Sequence, residues 1–290
     1  MGGGVGNSIF VMLSGYFLVK SQHISIRRLF NLWIRLFFYS VAIYAVFLLS
    51  GMEAFDPNIA LKALMPVIYS QLWFAKVYFV LYLIHPYINT LLRHFSQNSY
   101  RKFLVAVMLY LLIFQILTYS YLKGNSLSNL INFICLYSIA GYVRLWADDY
   151  GSKKFIYYGI AFFVLHFMAV IVLEVIGMKF SESGGPETII RPFMIMAALC
   201  MLIGFKHLTI SYSKIINTIA SAAFGVYLIH DNGLVRPFLW HDVFHNASFQ
   251  DSVYLIPYSI AVILIVYVAC TLIELIRSKV FRILSGERLS

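Results

Sequence analysis

The chain has 290 residues, of which 61% are hydrophobic and 12% charged, and its mean hydropathy is +0.81. Ordinary soluble domains carry roughly twice that share of charged residues, so the composition excludes a soluble globular protein and points to a polytopic membrane protein. The formal charge of +10 does not indicate a nucleic-acid partner, because the basic residues are spread over short loops between apolar runs instead of being gathered on one segment.

No linker, repeat or low-complexity stretch interrupts the apolar pattern. One integral, all-α unit over residues 1–290 is therefore expected, a bundle of about nine transmembrane helices. The first run, Val5 to Val19, follows a glycine-rich start and is followed by Lys20, His23, Arg27 and Arg28. Leu29 to Leu49 is the second and contains Arg35; Glu53 to Gln71 reads as an outer loop with an interfacial helix; Leu72 to Leu92 is the third run. Phe103 to Tyr121, Leu127 to Trp146, Phe155 to Gly177, Ile189 to Phe205, Ile215 to His230 and Val253 to Ile276 complete the set. Cys135, Cys200 and Cys270 lie inside these runs in no metal-ligand spacing, so buried, reduced thiols and no metal are expected.

Lys and Arg crowd alternate loops. Lys20, Arg27 and Arg28, then Arg93, Arg101 and Lys102, then Arg144, Lys153 and Lys154, then Lys206 and Lys214, then Arg277, Lys279, Arg282 and Arg288 fall on one side. Only Lys62, Lys123, Lys179 and Arg236 fall on the other. Cytoplasmic loops carry the excess of basic residues, which predicts a cytoplasmic C-terminus and an outer Met1.

Three stretches ask for more than membrane anchoring. The first is FVMLSGYFL at Phe10 to Leu18, where Gly15 allows a close helix approach and Ser14 can bond a backbone carbonyl. The second is QLWFAKVYFVLYLIHPYIN at Gln71 to Asn89, in which Trp73, Tyr78, Tyr82 and Tyr87 recur at helical spacings and Lys76 sits near one end. Its His85 precedes Pro86 and can bond the carbonyl that the proline leaves free. The third is FGVYLIHDNGLVRPFLW at Phe224 to Trp240, with Tyr227, His230, Asp231, Asn232 and Arg236 in close succession. Ionisable groups at membrane depth mark a site; the same run also reads as a helix ending at headgroup level, with Gly233 as terminator and Trp240 in the aromatic belt. His166, alone among phenylalanines, reads as a helix-to-helix hydrogen bond.

Taken in this order, the three stretches resemble the acyltransferase 3 family of bacterial integral membrane O-acyltransferases, in particular the branch that O-acetylates surface polysaccharides. The resemblance implies a bacterial inner-membrane enzyme that takes an acyl group from acetyl-CoA or another acyl-CoA and passes it to a hydroxyl of a lipid-linked or surface glycan. It makes Arg27, Arg28 and Arg35 the candidates for the CoA phosphates. It makes His230, Ser14 and Tyr16 the candidates for the catalytic centre. Trp73, Lys76, Tyr82, Asn89, Tyr227, Asp231 and Asn232 are then the candidates for acceptor binding. His230 beside Asp231 suits either proton transfer, with Asp231 fixing the imidazole tautomer, or substrate orientation. The resemblance also implies a catalytic-base histidine on a helix preceding SGYFL, which this sequence does not contain. The expectation is therefore a chain lacking its first span, with little or no activity of its own. The rival reading is a transporter or flippase for a lipid-linked sugar with Arg35, Lys76 and Arg191 along a polar path, although no internal repeat of the kind common in transporters is present.

Overall fold

The apolar runs fold as helices, and among the described residues no strand accompanies them. The computed structural model describes residues 3–69, 72–114, 126–176, 187–249 and 252–284. Met1, Gln71, Lys123, Lys179 and the end of the fourth run lie outside these residues. The order is α1 (Gly3–Leu18), α2 (Ile26–Leu49), α3 (Pro57–Leu64), α4 (Pro66–Tyr69), α5 (Trp73–His94) and α6 (Gln97–Leu109) with a π-helical continuation at Tyr110–Phe114. Then come α7 (Ser126–Trp146), α8 (Phe155–Val175), α9 (Glu187–Lys206), α10 (Lys214–His230), the short α11 (Val235–Pro237) and α12 (Leu255–Leu284). Among the described residues three helical segments, Ile26–Leu49, Phe155–Leu173 and Leu255–Leu284, are long and apolar enough to cross a membrane. Helices suit that setting because their backbone groups are satisfied within the segment.

Two expectations change. The segment read as a loop at 53–71 contains two short helices, α3 and α4; α3 starts with Pro57 behind the N-cap Asp56, whose carboxylate accepts the Asn58 N–H at 2.6 Å. Helix α12 runs on past Ile276 to Leu284 and takes Arg277 with it. Arg277, read as a loop cation, is a buried helical residue.

The chain divides into two compact units, Met1–Leu29 with Val77–Ile210, and Phe30–Lys76 with Ser211–Ser290. In the first, α1 packs on α7 and α9, and α8 packs on α9. Gly15 makes the α1–α7 approach possible: a Cβ there would sit 2.4 Å from the Tyr137 carbonyl oxygen, a backbone atom that cannot swing aside. Asn89 of α5, fully buried, donates both amide hydrogens to the Leu18 and Ser21 carbonyls at 2.7 Å each and accepts the Tyr137 hydroxyl at 2.7 Å. It ties the end of α1 to α5 and α7. His85 Nδ1 lies 2.6 Å from the Tyr82 carbonyl, the group that Pro86, four residues on, cannot serve with an N–H. His166 Nδ1 lies 3.3 Å from the Ile190 carbonyl across α8 and α9.

In the second unit, Leu36, Tyr39 and Ile43 of α2, Val226, Leu228 and Ile229 of α10, and Val262, Val266 and Cys270 of α12 form one buried cluster. Gly225 of α10 faces the Glu274 carboxylate, which an added Cβ would meet at 2.5 Å. The glycine of FGVYLIH thus makes room for a buried acid on α12. Cys135, Cys200 and Cys270 are free and buried.

Candidate functional site

Each unit carries its own polar cluster. In the first, Tyr16 near the end of α1 donates to Asp148 Oδ1 at 2.5 Å. Arg144, one turn before Asp148, reaches its Oδ2 at 2.5 Å and the Tyr16 hydroxyl at 3.2 Å, with its guanidinium 5.0 Å from the Tyr16 ring centroid. Lys206 at the end of α9 lies 3.6 Å from Asp148 Oδ1 and donates to the Ala147 carbonyl at 3.2 Å and to that of Asp148. Two cations thus share one carboxylate.

Burial alone would raise the Asp148 carboxyl, but the Tyr16 hydrogen bond and the charges of Arg144 and Lys206 outweigh it and hold the group below its ordinary value of 3.8. A depressed folded value means that Asp148 contributes stability above the ordinary carboxylate range and loses it as pH falls through the folded value. Acid melting curves recorded between about pH 5 and pH 2 should therefore show a steeper loss of stability for the native chain than for Asp148→Asn. Equal slopes would contradict the ion pairing described.

Elsewhere in this unit, Ser14 Oγ donates to the Phe10 carbonyl at 3.0 Å and lies 3.1 Å from the Tyr78 hydroxyl. The buried ring of Tyr82 lies 5.0 Å from that of His85. With Nδ1 donating to Tyr82, the His85 Nε2 atom is an acceptor, and it has no hydrogen-bond partner among the described residues. Arg27 and Arg28 are exposed in the first turn of α2, where the Arg28 N–H meets Ser25 Oγ at 3.4 Å.

In the second unit, α10 organises two groups along its length. Near Gly225, Glu274 of α12 is 2% exposed and accepts from Arg277 Nε at 2.8 Å, from Arg277 Nη2 at 2.7 Å and from the Tyr39 hydroxyl at 2.5 Å. Arg35 Nε stands 3.7 Å from Glu274 Oε1, and its guanidinium lies 5.9 Å from the Phe224 ring centroid. Two guanidiniums face one carboxylate, so the group keeps a net positive charge. Arg35 is the less tightly held of the two and is able to take a second anion.

About one and a half turns on, the end of α10 carries Tyr227, His230 and Asp231. Tyr227 packs edge-on to Phe74 at 5.5 Å, which brings the start of α5, with Trp73 and Lys76, to this end of α10. Trp73 is exposed and Lys76 half-buried. His230 Nδ1 lies 2.7 Å from the Val226 carbonyl. That backbone oxygen, rather than Asp231, fixes the tautomer and leaves Nε2 as a proton acceptor. Asp231 caps α10 and faces Arg236 at 3.8 Å. Burial pushes its carboxyl above the ordinary range, and Arg236 and His230 oppose that shift. Asn232 shapes the turn that follows, its Oδ1 accepting the Leu234 N–H at 3.0 Å and its carbonyl the Arg236 N–H at 2.8 Å.

The sequence-derived residues thus fall into two sets. Arg35, Trp73, Lys76, Tyr227, His230, Asp231 and Asn232 belong to the second unit, and Ser14, Tyr16, Arg27, Arg28, Tyr82 and Asn89 to the first. Tyr39 and Glu274 escaped the sequence reading, as did the pairing of Arg277 with Glu274 and that of Asp148, Arg144 and Lys206 around Tyr16. Glu274 carried a usable signal: it is the one acid in the last apolar run, three residues before an arginine, a spacing that brings side chains together on a helix.

A family model described as an acyltransferase domain matches residues 1–274 of the chain. No curated protein and no solved structure gives a match.

Proposed function

Because the chain belongs to the acyltransferase 3 family, we propose that it moves an acetyl or other acyl group from cytoplasmic acyl-CoA to a hydroxyl of a lipid-linked or surface glycan. The family match over residues 1–274 is the observation that carries this reading. The loop asymmetry of Lys and Arg supports a cytoplasmic C-terminus in a bacterial inner membrane, with apolar helices beyond the three candidate spans also crossing it.

In such a transfer the acceptor oxygen attacks the thioester carbonyl, a C–O bond forms and the C–S bond breaks. The hydroxyl proton must go to a base, and CoA leaves as a thiolate that takes up a proton. His230, with Nδ1 engaged by the Val226 carbonyl, is our candidate for receiving the hydroxyl proton at Nε2. Trp73, Lys76 and Tyr227 flank that end of α10 and are the candidates for holding the sugar. Arg27 and Arg28, exposed at the start of α2, and Arg35 are the candidates for the CoA phosphates.

Binding of the donor to the folded state should raise the melting temperature of the detergent-solubilised protein. A concentration of about 100 times Kd contributes about 2.7 kcal/mol. The shift should appear with acetyl-CoA and shrink in the Arg27→Ala, Arg28→Ala double variant. A folded protein whose melting is indifferent to millimolar acyl-CoA would speak against the donor assignment.

A further inference from the structure

In the first unit, α6, its π-helical continuation and α7 line an open groove of about 380 Å³. Its wall is aliphatic from Leu104 to Ile113, and Arg101 and Tyr142 also line it. The helix rises about 18 Å between Arg101 and Ile113, slightly more than half of the ~30 Å hydrocarbon thickness of a bilayer. That is the depth of one leaflet.

The two ends differ in chemistry. At the Arg101 end, Tyr100 and Tyr142 pack edge-on at 5.3 Å, and Phe95 and Phe103 pack at 5.5 Å. Aromatic side chains of this kind gather at headgroup level. Arg101 Nε donates to the Tyr142 hydroxyl at 2.9 Å, which holds the guanidinium and leaves its two Nη groups available to a further acceptor. The stretch from Thr90 to Phe114 contains Arg93, His94, Arg101 and Lys102 and no acid.

We propose that this groove binds one anionic glycerophospholipid, with an acyl chain along Leu104 to Ile113 and the phosphate on Arg101. Basic sites beside transmembrane helices favour anionic headgroups, and an aliphatic wall offers a sugar or a pyrophosphate nothing to bond. The site goes beyond the acyl-transfer reading and does not depend on it.

The test is native mass spectrometry of the full chain in detergent, with added dioleoyl phosphatidylglycerol or dioleoyl phosphatidylcholine and with inorganic phosphate as a headgroup control. Two variants separate the two halves of the site: Arg101→Gln removes the charge, and Val105→Trp fills the groove. Val105 is 60% exposed, so the indole does not enter the core. The native chain should retain one phosphatidylglycerol in preference to phosphatidylcholine, and inorganic phosphate should not displace it. Each variant should weaken that retention by about fivefold or more. Equal retention of the two lipids, displacement by inorganic phosphate, or unchanged retention by either variant would overturn the proposal.

Discussion

Replacing Glu274 with alanine is expected to lower the unfolding free energy by about 3–5 kcal/mol, the usual cost of removing one partner from a buried ion pair. The 2%-exposed carboxylate meets Arg277 through two hydrogen bonds and Tyr39 through a third. Without it, a buried guanidinium and a buried phenol lose their acceptor together. The loss should be much smaller when both charges go, as in Glu274→Leu with Arg277→Met, because apolar replacement of a whole buried pair is often neutral or stabilising. Denaturant unfolding in detergent micelles measures both variants. A loss below about 1 kcal/mol for Glu274→Ala, the size of an average substitution, would contradict the network. Glu274 also packs against Gly225, so its removal should disturb the helix that carries Tyr227 and His230.

Asn89→Ala should cost at least about 2 kcal/mol, since each buried polar group left unpaired costs about 1–3 kcal/mol. Two groups lose their partner, the carbonyl of Ser21 and the hydroxyl of Tyr137, while the Leu18 carbonyl keeps the Ser21 N–H at 2.8 Å. Asn89→Asp should be at least as damaging. The new carboxyl would still accept from Tyr137 but would set a second oxygen against two carbonyls, a buried arrangement without compensation. Thermal unfolding of the pair gives the ranking, and an aspartate variant as stable as the native chain would refute it. The residues held by Asn89 lead directly into the turn before Arg27 and Arg28, so the basic start of α2 should become less ordered with either change.

Local features were legible in the sequence, and long-range pairings were not. Within the described residues each apolar run is helical, because a membrane segment satisfies its backbone within itself. The role of His85 followed from Pro86 alone, since both the freed carbonyl and its partner lie within one turn. Gly15 read correctly as a close-approach position, although nothing in SGYFL says that the neighbour is the Tyr137 carbonyl. Tyr78, Tyr82, His85 and Asn89 could be placed on one helix face by spacing, yet only the fold shows that Asn89 spends its amide hydrogens on the end of α1. Tyr16 and Asp148 are separated by 132 positions, and no periodicity links them. His230 and Asp231 were adjacent in sequence and tempting as a pair. At the end of a helix, however, the carbonyl four residues back, that of Val226, lies 2.7 Å from the imidazole, and Asp231 pairs with Arg236 at 3.8 Å.

The fold and the proposed chemistry meet at α10. Its glycine accommodates a buried acid, its aromatic residues reach the start of α5, and its last turn presents an imidazole with one nitrogen fixed. The most direct measurement is acyl transfer by membranes containing the chain, supplied with radiolabelled acetyl-CoA and lipid-linked glycan. The resemblance on its own implies little or no activity, whereas His230, with Nδ1 held by the Val226 carbonyl and Nε2 left as a proton acceptor, predicts alkali-labile label on the glycan that depends on the chain and disappears in His230→Ala, while that variant still melts like the native protein. A folded chain that binds acyl-CoA yet leaves the glycan unlabelled would contradict the assignment as a glycan O-acyltransferase.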